Sequence, residues 1–144
     1  MATLTGVPLD GGLMLRPLRL TPGQDLRRAL ECAVFAEGLS AAFVLSGLGS
    51  LQAVSLRFAG ASEATILSGK LELLGLAGSL SADGAHLHGS VADDMGQVSG
   101  GHLGYGCIVR TTAEVLLALL PDWDFRRATD PGTGHAELVV RRRS

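Results

Sequence analysis

The chain has 144 residues, with 12 basic and 14 acidic side chains and a formal net charge of −2. That length suits one ordinary domain that needs no disulfide staples, and the charge balance excludes a whole-chain basic field for nucleic acid. Charged residues make up 18% and hydrophobic residues 47%, with a mean hydropathy of +0.32, so the chain is too apolar for disorder and apolar enough to expect an oligomer.

The first twelve residues, MATLTGVPLDGG, carry neither a basic region nor an apolar run, so no signal peptide is expected and the location is expected to be cytoplasmic. Residues 13–20, LMLRPLRL, read as a strand with Pro17 near an edge position. Thr21-Pro22-Gly23-Gln24 then reads as a helix start, with Thr21 as N-cap, Pro22 at the first helical position and Gln24 completing a capping box. The helix is expected over residues 22–37, stopped by Gly38. Leu26, Ala29, Leu30 and Ala33 recur at helical spacing and form its core face. Asp25 in the first turn complements the helix dipole. Cys32 and Cys107 have no metal-ligand spacing and are expected as free, buried thiols. One lysine against eleven arginines suggests a GC-rich bacterial genome.

Residues 39–56, LSAAFVLSGLGSLQAVSL, carry no charge. A membrane helix needs about 20 mostly apolar residues, and this run is broken by serines, glycines and Gln52. Two buried strands joined by a turn at Gly47–Ser50 are expected instead. Gly47-Leu48-Gly49 lacks the third glycine and following helix of a dinucleotide fingerprint, which also makes it a turn. With 20 glycines, about twice the usual share of ~7%, the rest reads as short strands and turns. Residues 111–120, TTAEVLLALL, fit a strand or a helix. Asp130-Pro131-Gly132-Thr133-Gly134 is a turn, and FRRAT and AELVV are its hairpin arms. The expected fold is α+β: an antiparallel meander, partly barrel-like, with one main helix, in a single domain over 1–144.

One constellation carries chemistry. His86 and His88 sit two apart on a predicted strand and share a face. The next turn is expected at Asp93-Asp94-Met95-Gly96-Gln97. If the hairpin centres on Met95, His88 lies directly opposite His102, with His86 its diagonal neighbour on the same face. Three imidazoles then converge, a donor set that suits zinc, iron, copper or nickel. A slip of one residue would turn His102 away. On spacing alone two readings stand: a three-histidine metal site, or ordinary surface and hydrogen-bonded histidines.

The remaining candidates are simpler. Arg57 and Glu72 each interrupt an apolar strand, so each is on a solvated face or paired at a site. Asp93 and Asp94 fit turn chemistry. His135 reads as a surface residue, and Arg141, Arg142 and Arg143 as a solvated basic tail, with a nucleic-acid contact as the alternative.

The segments LRLTPGQDL, AAFVLSGLGSLQAVSLR, GKLELLGLAGSLSADGAHLHGSVAD, GQVSGGHL, TTAEV and FRRATDPGTGHAEL, in that order, resemble the PPC domain, a family shared by plants and prokaryotes, from about Leu15 to Val140. The resemblance implies one helix on an antiparallel sheet, a homotrimer, and the DNA-binding description that plant members with AT-hooks have brought to the family. It also implies a partner-binding segment at Gly69, Lys70, Leu71, Glu72, Leu73 and Leu74, where plant members carry Gly-Arg-Phe-Glu-Ile-Leu; Lys70 and Leu71 depart from that pattern. The fold is also similar to that of acetolactate decarboxylase, a zinc enzyme with a His-x-His and a third histidine. His86, His88 and His102 match that set in type, with Arg57 and Glu72 as candidates for its cation and acid. The resulting expectation is a homotrimeric binding or assembly module with a three-histidine metal site, zinc by preference, with DNA or protein as further partners. A small metal-dependent enzyme is the alternative.

Overall fold

The computed structural model describes Pro8–Leu9 and residues 12–144. The reading of residues 1–12 as free of a signal peptide therefore falls mostly outside the described residues. The elements are β1 (Pro8–Leu9), β2 (Leu13–Leu20), α1 (Leu26–Ala36), β3 (Ala41–Arg57), β4 (Thr65–Ser81), β5 (Gly84–Ala92), β6 (Val98–Leu103), β7 (Ile108–Leu119), β8 (Trp123–Thr129) and β9 (Ala136–Arg142). Seven strands form one antiparallel sheet in the order β1-β2-β7-β3-β4-β5-β6, while β8 and β9 make a separate hairpin. The α+β class is as the pattern predicts. The sheet curls until β6 reaches back to the end of β3 through Leu56↔Leu103 and Arg57↔His102, yet it is not closed into a barrel. Among the described residues no helix is long and apolar enough to cross a membrane.

The helix starts later than the capping pattern suggests. Thr21 and Gln24 do pair, since the Thr21 amide donates to Gln24 Oε1 at 2.8 Å. That bond closes a turn in which Gly23 has φ +87°, outside the helical range. Asp25 is the true N-cap: its carboxylate accepts from the Arg28 amide at 3.1 Å and from the Gly106 amide at 2.7 Å. Gly38 closes the helix with φ +68°, as read. Leu26, Leu30 and Val34 are buried against the sheet, with Ala29 and Ala33 partly buried beside them. Because Asp25 anchors both the helix and the loop before β7, Asp25→Ala is expected to cost roughly 1–2 kcal/mol, read as a lowered urea midpoint.

The uncharged run does not turn at Gly47–Ser50. It is one 17-residue strand, β3, as is β4. The glycines permit close passage instead of reversal: a Cβ at Gly47 would lie 2.9 Å from Leu76 Cβ, and one at Gly49 would lie 2.6 Å from Ala113 Cα. Bulges take up the length. In β3 the pairing with β7 shifts between Val44 and Ser46, and again around Leu51. In β4 it shifts between Leu73 and Gly75, so the buried set changes from Leu71 and Leu73 to Leu76 and Leu80. Residues 108–119 resolve as strand β7, with Ala113, Val115, Leu117 and Leu119 buried at period two. The terminal hairpin forms as read. Cys107 is buried, whereas Cys32 lies on the exposed side of α1, contrary to the expectation that both are buried.

Candidate metal centre

The histidine geometry begins in the β5–β6 turn. Asp93 Oδ1 accepts from the amides of Met95 and Gln97, both at 2.9 Å, and Gly96 supplies φ +78°. That turn sets the register of Ala92↔Val98, Ser90↔Gly100 and His88↔His102. Ala85, Leu87 and Val91 point into the core, which turns His86 and His88 to the outer face. The β4 bulge places Ala77 opposite His88 and Ser79 opposite His86. Gly101 lets β6 lie against the end of β3, since a Cβ there would meet the Arg57 carbonyl oxygen at 2.6 Å.

The three rings converge. Their centroids are 4.8 Å apart for His86–His88, 4.3 Å for His88–His102 and 5.0 Å for His86–His102. The Nε2 atoms of His86 and His88 are 3.1 Å apart, and one ligating nitrogen from each of the three rings lies within 4.8 Å of the others. Tetrahedral zinc with bonds of about 2.0–2.1 Å needs nitrogens about 3.4 Å apart. The first pair already meets this, and His102 needs a shift on the order of 1 Å. The donor set fits a divalent transition ion that prefers imidazole. His86, His88 and His102 would be its three ligands.

Two guanidinium groups flank the rings. Arg57 pairs directly with His102 across β3 and β6. Arg127 donates to Ser79 Oγ at 2.7 Å, beside His86. Burial lowers the pKa of His86, helped by Arg127 and the neighbouring imidazoles and opposed by Glu137. Burial also lowers that of His102, helped by His88 and Arg57. Both rings therefore favour the neutral, ligating form. In the unfolded chain they protonate near the ordinary value of 6.5. Their contribution to stability is thus complete above pH 6.5 and lost as the pH falls through and below it. The metal-free protein is expected to melt at progressively lower temperature from pH 7.5 to pH 5.5, a fall that substituting both His86 and His102 with Gln should reduce.

The other candidates separate. Arg57 joins the cluster. Glu72 is exposed on β4 opposite Ala92, five positions from Ala77 and so roughly 16 Å along the strand. In the segment Gly69–Leu74, Leu71 and Leu73 are buried, leaving Lys70, Glu72 and Leu74 outward. His135 is exposed. Arg141 and Arg142 belong to β9 instead of a loose tail; Arg142 sits over the Trp123 ring at 5.9 Å, and Arg143 donates to Ser40 Oγ at 3.3 Å. Sequence reasoning missed Arg27, Ser55 and Arg127. They reach the cluster from α1, the end of β3 and β8, and no local pattern marks them. A cavity of about 210 Å³ beside the rings is lined by Arg27, Ser55, Arg57, His86, His102 and Gly104, among others.

Known proteins share this framework. The model of the Plants and Prokaryotes Conserved (PCC) domain matches residues 13–121. A bifunctional protein GlmU from a Synechococcus strain is 50% identical over 130 residues, 90% of this chain and 21% of that protein. The chain thus spans about a fifth of the length of the curated relatives it matches. A hypothetical protein from Salmonella enterica superposes with TM-score 0.89 at 37% identity, covering 96% of this chain and all of that one. A metal-containing protein from Archaeoglobus fulgidus superposes at 0.71 with 28% identity, covering 87% and 92%. A Bacteroides thetaiotaomicron protein, provisionally named as DNA-binding, superposes at 0.76 over 93% and 95%; at 17% identity it shares the fold.

Proposed function

The chain belongs to the Plants and Prokaryotes Conserved domain family, and from that premise we propose that it is a homotrimeric binding or assembly module built around a three-histidine transition-metal site. The observation that carries the reading is the convergence of His86, His88 and His102 on the outer sheet face, held by the Asp93 turn and the β5–β6 register. The metal-containing Archaeoglobus relative supports it. Zinc is the ion we assign, because three neutral imidazoles suit it and leave coordination positions free. The site residues are His86, His88 and His102, with Arg57 beside them; Glu72 lies outside. We place the protein in the cytoplasm, where an exposed free thiol such as Cys32 stays reduced. Uptake of one Zn²⁺ per chain by protein purified without an affinity tag tests the metal; uptake unchanged by loss of the histidines contradicts it.

The trimer rests on the apolar surface left outside the core. Phe43, Leu45 and Leu48 on β3, Ile66 and Leu74 on β4, and Val98 on β6 are all exposed, an excess that a second copy of the chain would cover. Light scattering is expected to give about 45 kDa, three times the 14.9 kDa chain. A monomer at micromolar concentration would contradict the assembly. DNA, suggested by the provisionally named relative, is a weak partner in this reading. The net charge is −2, and the arginines that could meet phosphate are dispersed over the β8–β9 hairpin.

A metal-dependent enzyme is the second reading, and the cavity beside the rings favours it. When bound, the ion would supply Lewis-acid polarisation of an oxygen placed in that cavity.

A further inference from the structure

We propose that the cavity beside the histidines binds a small carboxylate ligand, with its carboxylate on Arg57 and a neighbouring oxygen turned toward the metal. The inference rests on the metal reading above and names the ligand class of that same site.

The lining carries the argument. Arg27 and Arg57 line the cavity together with His86 and His102, and among the described residues no carboxylate-bearing residue lines it. Arg27 is committed elsewhere. Its Nε donates to Glu31 Oε1 at 3.1 Å, and its guanidinium packs 4.4 Å from the centre of the Tyr105 ring. Arg57 is not so committed. Among the described residues it forms no ion pair, and its one recorded hydrogen bond is a long one of 3.3 Å to the Ala61 carbonyl. A divalent ion on three neutral imidazoles adds two positive charges beside Arg57, so the site as a whole calls for an anion. A guanidinium fork matches the two oxygens of a carboxylate.

Size and polarity narrow the class. At about 210 Å³ the cavity holds only a few heavy atoms beyond the carboxylate. Leu87, Leu103 and Ala64 also line the cavity, and this apolar surface suits a short hydrocarbon tail. Gly104 lines the cavity without a side chain, and a Cβ there would lie 3.3 Å from Ser55 Oγ, another lining residue. A 2-oxo or 2-hydroxy acid of three or four carbons meets all of these conditions.

Cobalt-loaded protein provides the test, because the visible spectrum of bound Co²⁺ responds to a new ligand. Cobalt uptake is measured first. If the protein takes up no Co²⁺, the metal reading fails and this proposal with it. With cobalt in place, pyruvate is expected to shift the spectrum saturably, more tightly than acetate, which lacks the second oxygen, or inorganic phosphate. Arg57→Met is expected to weaken pyruvate binding about ten- to a hundredfold while Co²⁺ uptake is unchanged. Gly104→Val, which adds a branched side chain to the lining, should block pyruvate and also leave uptake intact. Normal uptake with no pyruvate response, tighter binding of phosphate, or pyruvate binding unaltered in both variants would overturn the ligand proposal alone.

Discussion

Replacing His88 with Ala is expected to lower the affinity for Zn²⁺ or Co²⁺ by more than about 100-fold, beyond the 10–100-fold typical of losing an outer-shell partner of a metal ligand. His88 is the middle ring of the three. It lies opposite His102 in the hairpin register and 3.1 Å from His86 between Nε2 atoms. Without it, the remaining rings stand 5.0 Å apart, stacked at 19° to one another, a poor arrangement for two bonds to one ion. The fold should survive, because the His88 side chain is exposed while the core beneath it, formed by Leu87 and Val91, stays complete. The expected result is an unchanged melting temperature in chelator and loss of the increase that Zn²⁺ gives the parent protein. A variant that still melts higher with Zn²⁺ would remove His88 from the site.

Gly49→Val should destabilise the metal-free protein by about 3 kcal/mol or more, at or above the upper end of the overpacking range. Gly49 sits where β3 passes β7 in the middle of the sheet. A Cβ would lie 2.6 Å from Ala113 Cα and 3.0 Å from Ala113 Cβ, and would also press on the Thr112 carbonyl. These are backbone and inner side-chain atoms of a central strand, so they cannot swing away. Gly75→Ala is the matched control: its Cβ would meet only Ser90 Oγ at 3.8 Å, and the expected change is within about 0.5 kcal/mol. Urea denaturation of both variants reads the difference. Equal midpoints would mean that the glycines of the long strands are ordinary turn or linker residues after all.

That contrast shows where the sequence is legible. The β5–β6 hairpin could be read because its register is a local property: the Asp93–Gln97 turn chemistry and a two-residue period carry His88 to His102 over fourteen positions. The terminal hairpin was readable for the same reason, whereas residues 111–120 fit a strand or a helix until β2 and β3 pair on either side of them. The glycine-punctuated run of β3 was not, because glycine marks both a turn and a close approach of two backbones, and only the partner strand distinguishes them. Gly23 misled in the opposite direction, sitting inside what looks like a capped first turn while Asp25 holds the cap. For the candidate site, the three histidines come from one hairpin, but their surroundings do not. Arg57 meets His102 only because β6 folds back onto β3, and Arg127 reaches Ser79 from a separate hairpin. Glu72 lies on an equally apolar strand and ends far from the rings, since five positions along β4 set the distance.

The central claim is that these three rings hold one transition ion, and elemental analysis combined with anomalous scattering tests it most directly. Protein purified without a histidine tag and exposed to equimolar Zn²⁺ is predicted to retain close to one zinc per chain, with an anomalous peak between the ring nitrogens of His86, His88 and His102. Retention of no metal, or a peak anywhere else on the chain, would contradict the account.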